Sequence, residues 1–203
     1  RRNAIKLYDR CLSGNCHKVR LLLSILDLEY EKVPVDLGSG KNRTPEFLLL
    51  NPRGQVPTLT DGDVTVWDSQ AILVYLARRY GGEEWLPTEP ATMAEVMQWL
   101  AVSENELLFG LARSRQTKKM NGPWPWDLAS KLGQSGLAVM NKHLAGYDWL
   151  ALDRPTIADL ACYPYVALAH EGEISLENYP AVRAWMARIQ TLPGYVGMPG
   201  IGD

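Results

Sequence analysis

Apolar and polar positions alternate over Ile5-Lys6-Leu7-Tyr8 and again over residues 29–35, while between them Val19, Leu22, Leu23 and Leu26 recur at helical spacing. The pattern predicts a strand, helix, strand unit, whose strands pair in parallel through a right-handed crossover. After the loop Gly38-Ser39-Gly40-Lys41-Asn42, residues 45–50 read as a short helix stopped by Asn51-Pro52. Pro57-Thr58-Leu59-Thr60 and Val64-Thr65-Val66-Trp67 flank Asp61-Gly62-Asp63, a hairpin signal, and Ile72, Leu73 and Leu76 then predict a helix over residues 69–80. The predicted order is β-α-β-α-β-β-α.

Residues 83–90 have the Gly/Pro-flanked composition of a linker, and Pro90 suits the first turn of a helix. Everything beyond reads helical: Met93, Val96, Met97, Leu100, Leu107, Leu108 and Leu111 form one apolar stripe, and weaker ones run over residues 128–144 and 182–189. The chain therefore divides into an α/β part (1–82), a linker (83–90) and an all-α part (91–203). Thr156-Ile157-Ala158-Asp159 is a capping-box variant, a helix-start device that folding rather than chemistry requires. Cys162 lies on the helix it starts and reads as a buried thiol.

Composition narrows the partners. With 21 basic and 23 acidic residues the net charge is -2, so no broad basic field recruits nucleic acid or an anionic membrane. No apolar run has the length of a membrane-spanning helix, and Arg1-Arg2-Asn3-Ala4-Ile5 lacks the apolar core of a secretory signal, which suggests a cytoplasmic protein. Cys11, Cys16 and Cys162 fit reduced thiols better than a disulfide framework, and His17, His143 and His170 are too scattered for a dedicated zinc site, so no metal is expected.

Two short segments carry candidate chemistry. A Val56-Pro57 bond opening a strand is awkward in the trans form, and a cis bond would let the Val56 N–H and C=O turn outward to pair with an extended peptide ligand as an added strand. Asp68-Ser69 precedes a helix: Ser69 is a good N-cap, the first N–H groups attract a carboxylate, and Asp68 can pair with an ammonium. Together they would read the α-amino acid end of a ligand.

These segments and their surroundings resemble the glutathione transferase family, in its bacterial serine-type, theta- or zeta-like members. The resemblance runs over nearly the full chain: Asn51-Pro52-x-Gly54-Gln55-Val56-Pro57-Thr58-Leu59, then Asp68-Ser69-x-Ala71-Ile72-x-x-Tyr75-Leu76, then Thr156-Ile157-Ala158-Asp159-Leu160-Ala161 in a helical second half. It implies a thioredoxin-like first domain, an all-helical second domain, a homodimer, and conjugation of glutathione, the co-substrate, to a small electrophile in a detoxification role. By resemblance Val56 bonds the cysteinyl unit, Asp68 and Ser69 hold the γ-glutamyl end, and Pro57 is cis. Lys41, with Gln55 second, is the candidate for the glycine carboxylate.

The activating residue falls in Cys11-Leu12-Ser13-Gly14-Asn15-Cys16-His17. Ser13 matches the serine of Ser-x-x-Cys-x-x-Val-type loops, with Asn15 as a second donor and Tyr8 as a lesser candidate. His17 reads as a solvated helix residue rather than a base. A cysteine at that position would favour thiol transfer, but neither Cys11 nor Cys16 aligns with it. The Ser-Ser-Cys run of the zeta-type isomerases is replaced by Ser13-Gly14-Asn15, against a glutathione-dependent isomerase; a non-catalytic binding or regulatory module is the remaining alternative. The electrophile pocket is expected near Leu12, Phe109, Arg113 and Trp124, and Arg113-Ser114-Arg115 with Lys118-Lys119 is read as a solvated face or a dimer edge.

Overall fold

The computed structural model describes residues 5–201; the remainder of the basic N-terminal run, Arg1-Arg2-Asn3-Ala4, lies outside the described residues, as do residues 202–203. Four strands, β1 (Ile5–Asp9), β2 (Tyr30–Pro34), β3 (Thr58–Asp61) and β4 (Val64–Trp67), form one sheet in the order β2-β1-β3-β4. β1 pairs in parallel with β2, Ile5 opposite Tyr30, and antiparallel with β3, Leu7 opposite Leu59; β3 and β4 close the expected hairpin. Helix α1 (Gly14–Ile25) is the crossover between the parallel strands, followed by α2 (Pro45–Leu50) and α3 (Ser69–Tyr80). Ile5, Leu7 and Leu59 join Val19, Leu22, Leu23, Ile72, Leu73 and Leu76 in the core, as the two periodicities predict.

The second half is helical: α4 (Gly82–Trp85), α5 (Pro90–Val102), α6 (Arg113–Met120), α7 (Trp126–Leu144), α8 (Ile157–Ala167) and α9 (Pro180–Gln190). The linker-like stretch is packed, since Trp85 and Leu86 are buried and Arg78 donates to the Leu86 carbonyl. Helix α8 is buried along its whole length and packs on α1, α3 and α5, so it ties the sheet to the helices. That is why α1 is covered beyond its apolar stripe. His17 and Lys18 are fully buried, which corrects the solvated reading of His17. The His17 Nε2–H donates to the Val196 carbonyl at 2.7 Å, and burial lowers its pKa to about 4.

The long apolar stripe departs from one regular helix. Between α5 and α6 the chain runs as a π-helix over Ser103–Ala112, where the wider i→i+5 turn shifts which residues face inward. Leu107 and Leu111 are buried, while Met97 is exposed and Leu108 borders the cleft described below. The π segment crosses α7 almost backbone to backbone: a Cβ on Gly110 would lie 2.3 Å from the Gly133 nitrogen, so no larger residue fits. Among the described residues no helix is long and apolar enough to cross a membrane.

Candidate functional site

A cleft of about 490 Å³ lies between the sheet domain and the helices. Its floor is the loop after β1, held rigid from both sides. The buried Arg20–Asp9 ion pair lies beneath it, and Arg20 donates further to the carbonyls of Arg10 and Cys11, each at 3.3 Å. From the helical side Arg115 Nη1–H donates to the Leu12 carbonyl at 2.9 Å.

Ser13 ends this loop as the N-cap of α1, its Oγ accepting from the Cys16 N–H at 3.1 Å. That bond uses an oxygen lone pair and leaves the hydroxyl proton for another acceptor. Ser13 and Asn15 both line the cleft, with Gly14 between them. A Cβ on Gly14 would lie 2.6 Å from the Tyr165 ring of α8, so the first turn of α1 abuts the helical domain only because this residue is glycine. The Asn15 carboxamide meets the Ser69 hydroxyl at 3.4 Å.

The second wall is the bend from Asn51 to Thr58. Asn51 Nδ2 donates to the Gln55 carbonyl at 2.9 Å and its Oδ1 accepts from the Arg53 N–H, while the Thr58 hydroxyl donates to the same Gln55 carbonyl at 3.1 Å. The Val56-Pro57 bond is cis. Within the described residues neither the N–H nor the C=O of Val56 has a hydrogen-bond partner, and Val56 lines the cleft. A peptide-like ligand running past it can supply both partners.

At the start of α3 the structure corrects the capping assignment. Asp68, at φ 79°, is the N-cap; its Oδ2 accepts from the N–H groups of Gln70 and Ala71. An aspartate in this position reaches both donors itself, so Ser69 becomes the first helical residue. Ser69 is buried just behind the cleft wall, and its backbone N–H is unpaired within the described residues. The other Asp68 oxygen lies 3.8 Å from Arg53 Nη1.

The helical wall brings Glu104, Leu108 and Phe109 from the π segment, Arg113 and Arg115 from α6, and Trp124 from the turn after it. Burial raises the Glu104 carboxyl, with the fully buried Lys18 ammonium opposing the shift. Lys18 donates to Ser103 Oγ at 3.2 Å, and Ser103 donates to the Ala161 carbonyl, so the start of the π segment is pinned to α1 and α8 at once.

The structure gathers Ser13, Asn15, Gln55, Val56 and Asp68 in one cleft together with Leu12 of the same loop and Phe109, Arg113 and Trp124 of the helical wall. Pro57 and Ser69 are buried behind it. Lys41 is exposed and outside it: the turn Lys41–Arg43 is fixed by Asn42 donating to the Gly54 carbonyl at 2.7 Å, and Asn42 and Arg43 face the cleft instead. Tyr8 is also outside, stacked edge-on against Phe47 at 5.8 Å. Of the thiols, burial pushes Cys16 up to about 12 and raises Cys162 as well; Cys11 is exposed but not part of the cleft wall. The basic run divides: Arg113 faces the cleft, Arg115 is buried on Glu171, Lys119 pairs with the same Glu171, and Lys118 pairs with Glu173.

Arg10, Arg43, Arg53, Glu104 and Tyr165 are cleft residues the sequence did not single out. Arg53 stood at the unspecified position of Asn51-Pro52-x-Gly54, a signal present but unread. The others are brought in by packing.

Known proteins match both halves. Residues 3–78 fit the family model "Glutathione S-transferase, N-terminal domain", and residues 134–193 fit "Glutathione S-transferase, C-terminal domain". Glutathione S-transferase 3 of Zea mays is 33% identical, over 94% of this chain and 91% of its own. Disulfide-bond oxidoreductase YfcG of Escherichia coli is 32% identical, over 88% of this chain and 87% of its own. The crystal structure of a glutathione S-transferase from Pseudomonas fluorescens superposes with a TM-score of 0.89 at 36% identity, covering 96% of this chain and 98% of that one.

Proposed function

The chain belongs to the glutathione S-transferase family, and we propose that its cleft binds glutathione and delivers the thiolate to a small electrophile. The observation that carries this reading is the unpartnered Val56 backbone in the same cleft as the Ser13 hydroxyl, whose oxygen accepts from the Cys16 N–H and whose proton remains for another acceptor. The cysteinyl unit of glutathione pairs with the Val56 N–H and C=O as an added strand. The γ-glutamyl carboxylate takes the Ser69 N–H at the start of α3, and Glu104 joins Asp68 in receiving the ammonium, because Asp68 is partly engaged in capping. Arg43, rather than Lys41, supplies the cation for the glycine carboxylate, and Arg53, beside Asp68, faces the γ-glutamyl carboxylate.

A free thiol has a pKa of about 8.5, and each unit of depression takes about 1.4 kcal/mol of preferential thiolate stabilisation. Ser13 supplies it by donating its hydroxyl proton to the sulfur at the positive end of α1, with Asn15 as second donor. The sulfur then bonds to the electrophilic carbon and the leaving group departs with its electron pair. The protein acts in the cytoplasm as a homodimer in electrophile detoxification; the three free thiols favour a reducing compartment.

Thiol transfer is a second reading, favoured by the relative named as a disulfide-bond oxidoreductase. No cysteine lines the cleft, so in that chemistry glutathione itself would supply the reacting sulfur.

The test measures glutathione affinity and conjugation of an aryl halide by the native chain, Ser13→Ala and Ser69→Ala. Turnover in the native chain, slowed in Ser13→Ala with affinity kept and weakened binding in Ser69→Ala, is the expected result. Native inactivity with several electrophiles overturns the transferase reading.

A further inference from the structure

Among the cleft arginines, Arg113 stands apart. Its Cζ lies 4.2 Å from the Phe109 ring centre and 3.9 Å from that of Trp124, yet no carboxylate lies within ion-pairing distance among the described residues. The two aromatic contacts hold a weakly hydrated, planar cation in place while leaving its charge uncompensated. Trp124 is itself fixed: its Nε1–H donates to Gln116 Oε1 at 2.8 Å, and its carbonyl accepts from the Thr117 hydroxyl at 3.0 Å. The clamp therefore exists before any ligand arrives.

The surroundings add to its field. Arg115, next to it in the wall and 3% exposed, shares Glu171 with Lys119, so one carboxylate faces two cations. Its Nη2 has no hydrogen-bond partner. The carboxylates lining the cleft are drawn elsewhere, Asp68 toward Arg53 and the N–H groups of α3, Glu104 toward Lys18. The same cleft offers a flat ring apolar surface in Leu12, Leu108 and Met120, besides the Phe109 and Trp124 rings that hold Arg113.

We propose that Arg113 reads a carboxylate on the second substrate, and that the electrophile this cleft takes is an anionic aryl compound. The inference rests on the glutathione reading of the same cleft. With 4-chloro-3-nitrobenzoate as probe, the glutathione sulfur bonds to the chlorine-bearing carbon, the C–Cl bond breaks with its electron pair leaving as chloride, and the thiol proton passes to solvent. The benzoate stays ionised against Arg113 throughout.

Two readouts test it. Equilibrium binding compares the preformed conjugates S-(4-carboxy-2-nitrophenyl)glutathione and S-(2,4-dinitrophenyl)glutathione on the native chain, Arg113→Gln and Arg113→Lys. A charge-assisted contact predicts about a tenfold preference for the carboxylate in the native chain, lost in Arg113→Gln and partly kept in Arg113→Lys. Steady-state kinetics should show KM for 4-chloro-3-nitrobenzoate raised in Arg113→Gln by about tenfold more than KM for 1-chloro-2,4-dinitrobenzene. No carboxylate preference in the native chain, or a preference that survives Arg113→Gln, overturns the proposal. Absence of turnover with both aryl chlorides would instead overturn the transferase reading, while the binding ratio still decides whether Arg113 reads an anion.

Discussion

Among the helices that begin with a hydroxyl N-cap, α8 and α1 put that start to different uses. Thr156 opens α8 fully buried: its Oγ1 accepts from the Ala158 N–H, and Asp159 answers by accepting from the Thr156 N–H at 3.0 Å. The same carboxylate also accepts from the Leu150 N–H and from Trp185 Nε1–H, so three donors converge on it. Ser13 opens α1 at the edge of a cleft and accepts one N–H, with nothing reaching back. The first arrangement closes on itself and holds the helical domain together. The second is half-closed, and what it leaves open is a hydroxyl proton beside a ligand site. Capping chemistry is shared; burial decides whether it serves stability or the cleft.

The strongest test of that contrast is Asp159→Ala, which orphans three buried donors at once. It should lower unfolding free energy by about 3–5 kcal/mol, a large share of a typical domain's total, read as the shift of the denaturation midpoint.

A pH effect follows in the first turn of α1. Burial holds His17 near pKa 4 in the folded chain against 6.5 unfolded. The unfolded chain takes up the proton first as pH falls, so this stabilisation is complete above 6.5 and is lost on acidification toward 4. The loss amounts to about 3 kcal/mol, and the stability difference between native and His17→Asn should narrow by that much across the window. Asp159 runs the other way, since burial lifts its carboxyl to about 6 despite its three donors, and its contribution falls as pH rises from about 4 to 6. A native-to-variant difference that stays constant with pH would count against a neutral, buried His17.

Ser13→Ala should split the two roles: about a hundredfold loss in kcat, with only about 1 kcal/mol of stability lost with the cap. A stability loss as large as that of Asp159→Ala would break the comparison. The smallest effect separates the loop cations. Arg53→Ala should raise KM for glutathione about tenfold, whereas Lys41→Ala, outside the cleft, should leave it unchanged.

Much of this was legible in the residues. The order of strands and helices follows from periods of two and 3.6 and from the Gly, Pro and Asn punctuation, and Val56-Pro57, Asp68-Ser69 and the capping box were each found where local chemistry leaves a mark. What the residues leave open has a common cause. Lys41 and Arg43 are two residues apart on one short turn, and which of them faces the cleft depends on Asn42 being tied to Gly54. Asp68 rather than Ser69 caps α3 because Asp68 adopts φ 79° and reaches two N–H groups itself, a conformation that no local residue pattern announces. His17 is buried because α8 covers that side of α1, and nothing local announces that contact.

Periodicity and interactions within a few residues are enough to set the order of strands and helices, most of the helix starts and the cis Val56-Pro57 turn. Which charges enter the cleft is set by long-range packing, since Glu104, Arg113 and Arg115 owe their places to a π-helical turn and to a crossing at Gly110 and Gly133 that brings two backbones into contact. The local pattern sets which face of a helix is apolar, but long-range packing sets what that face meets.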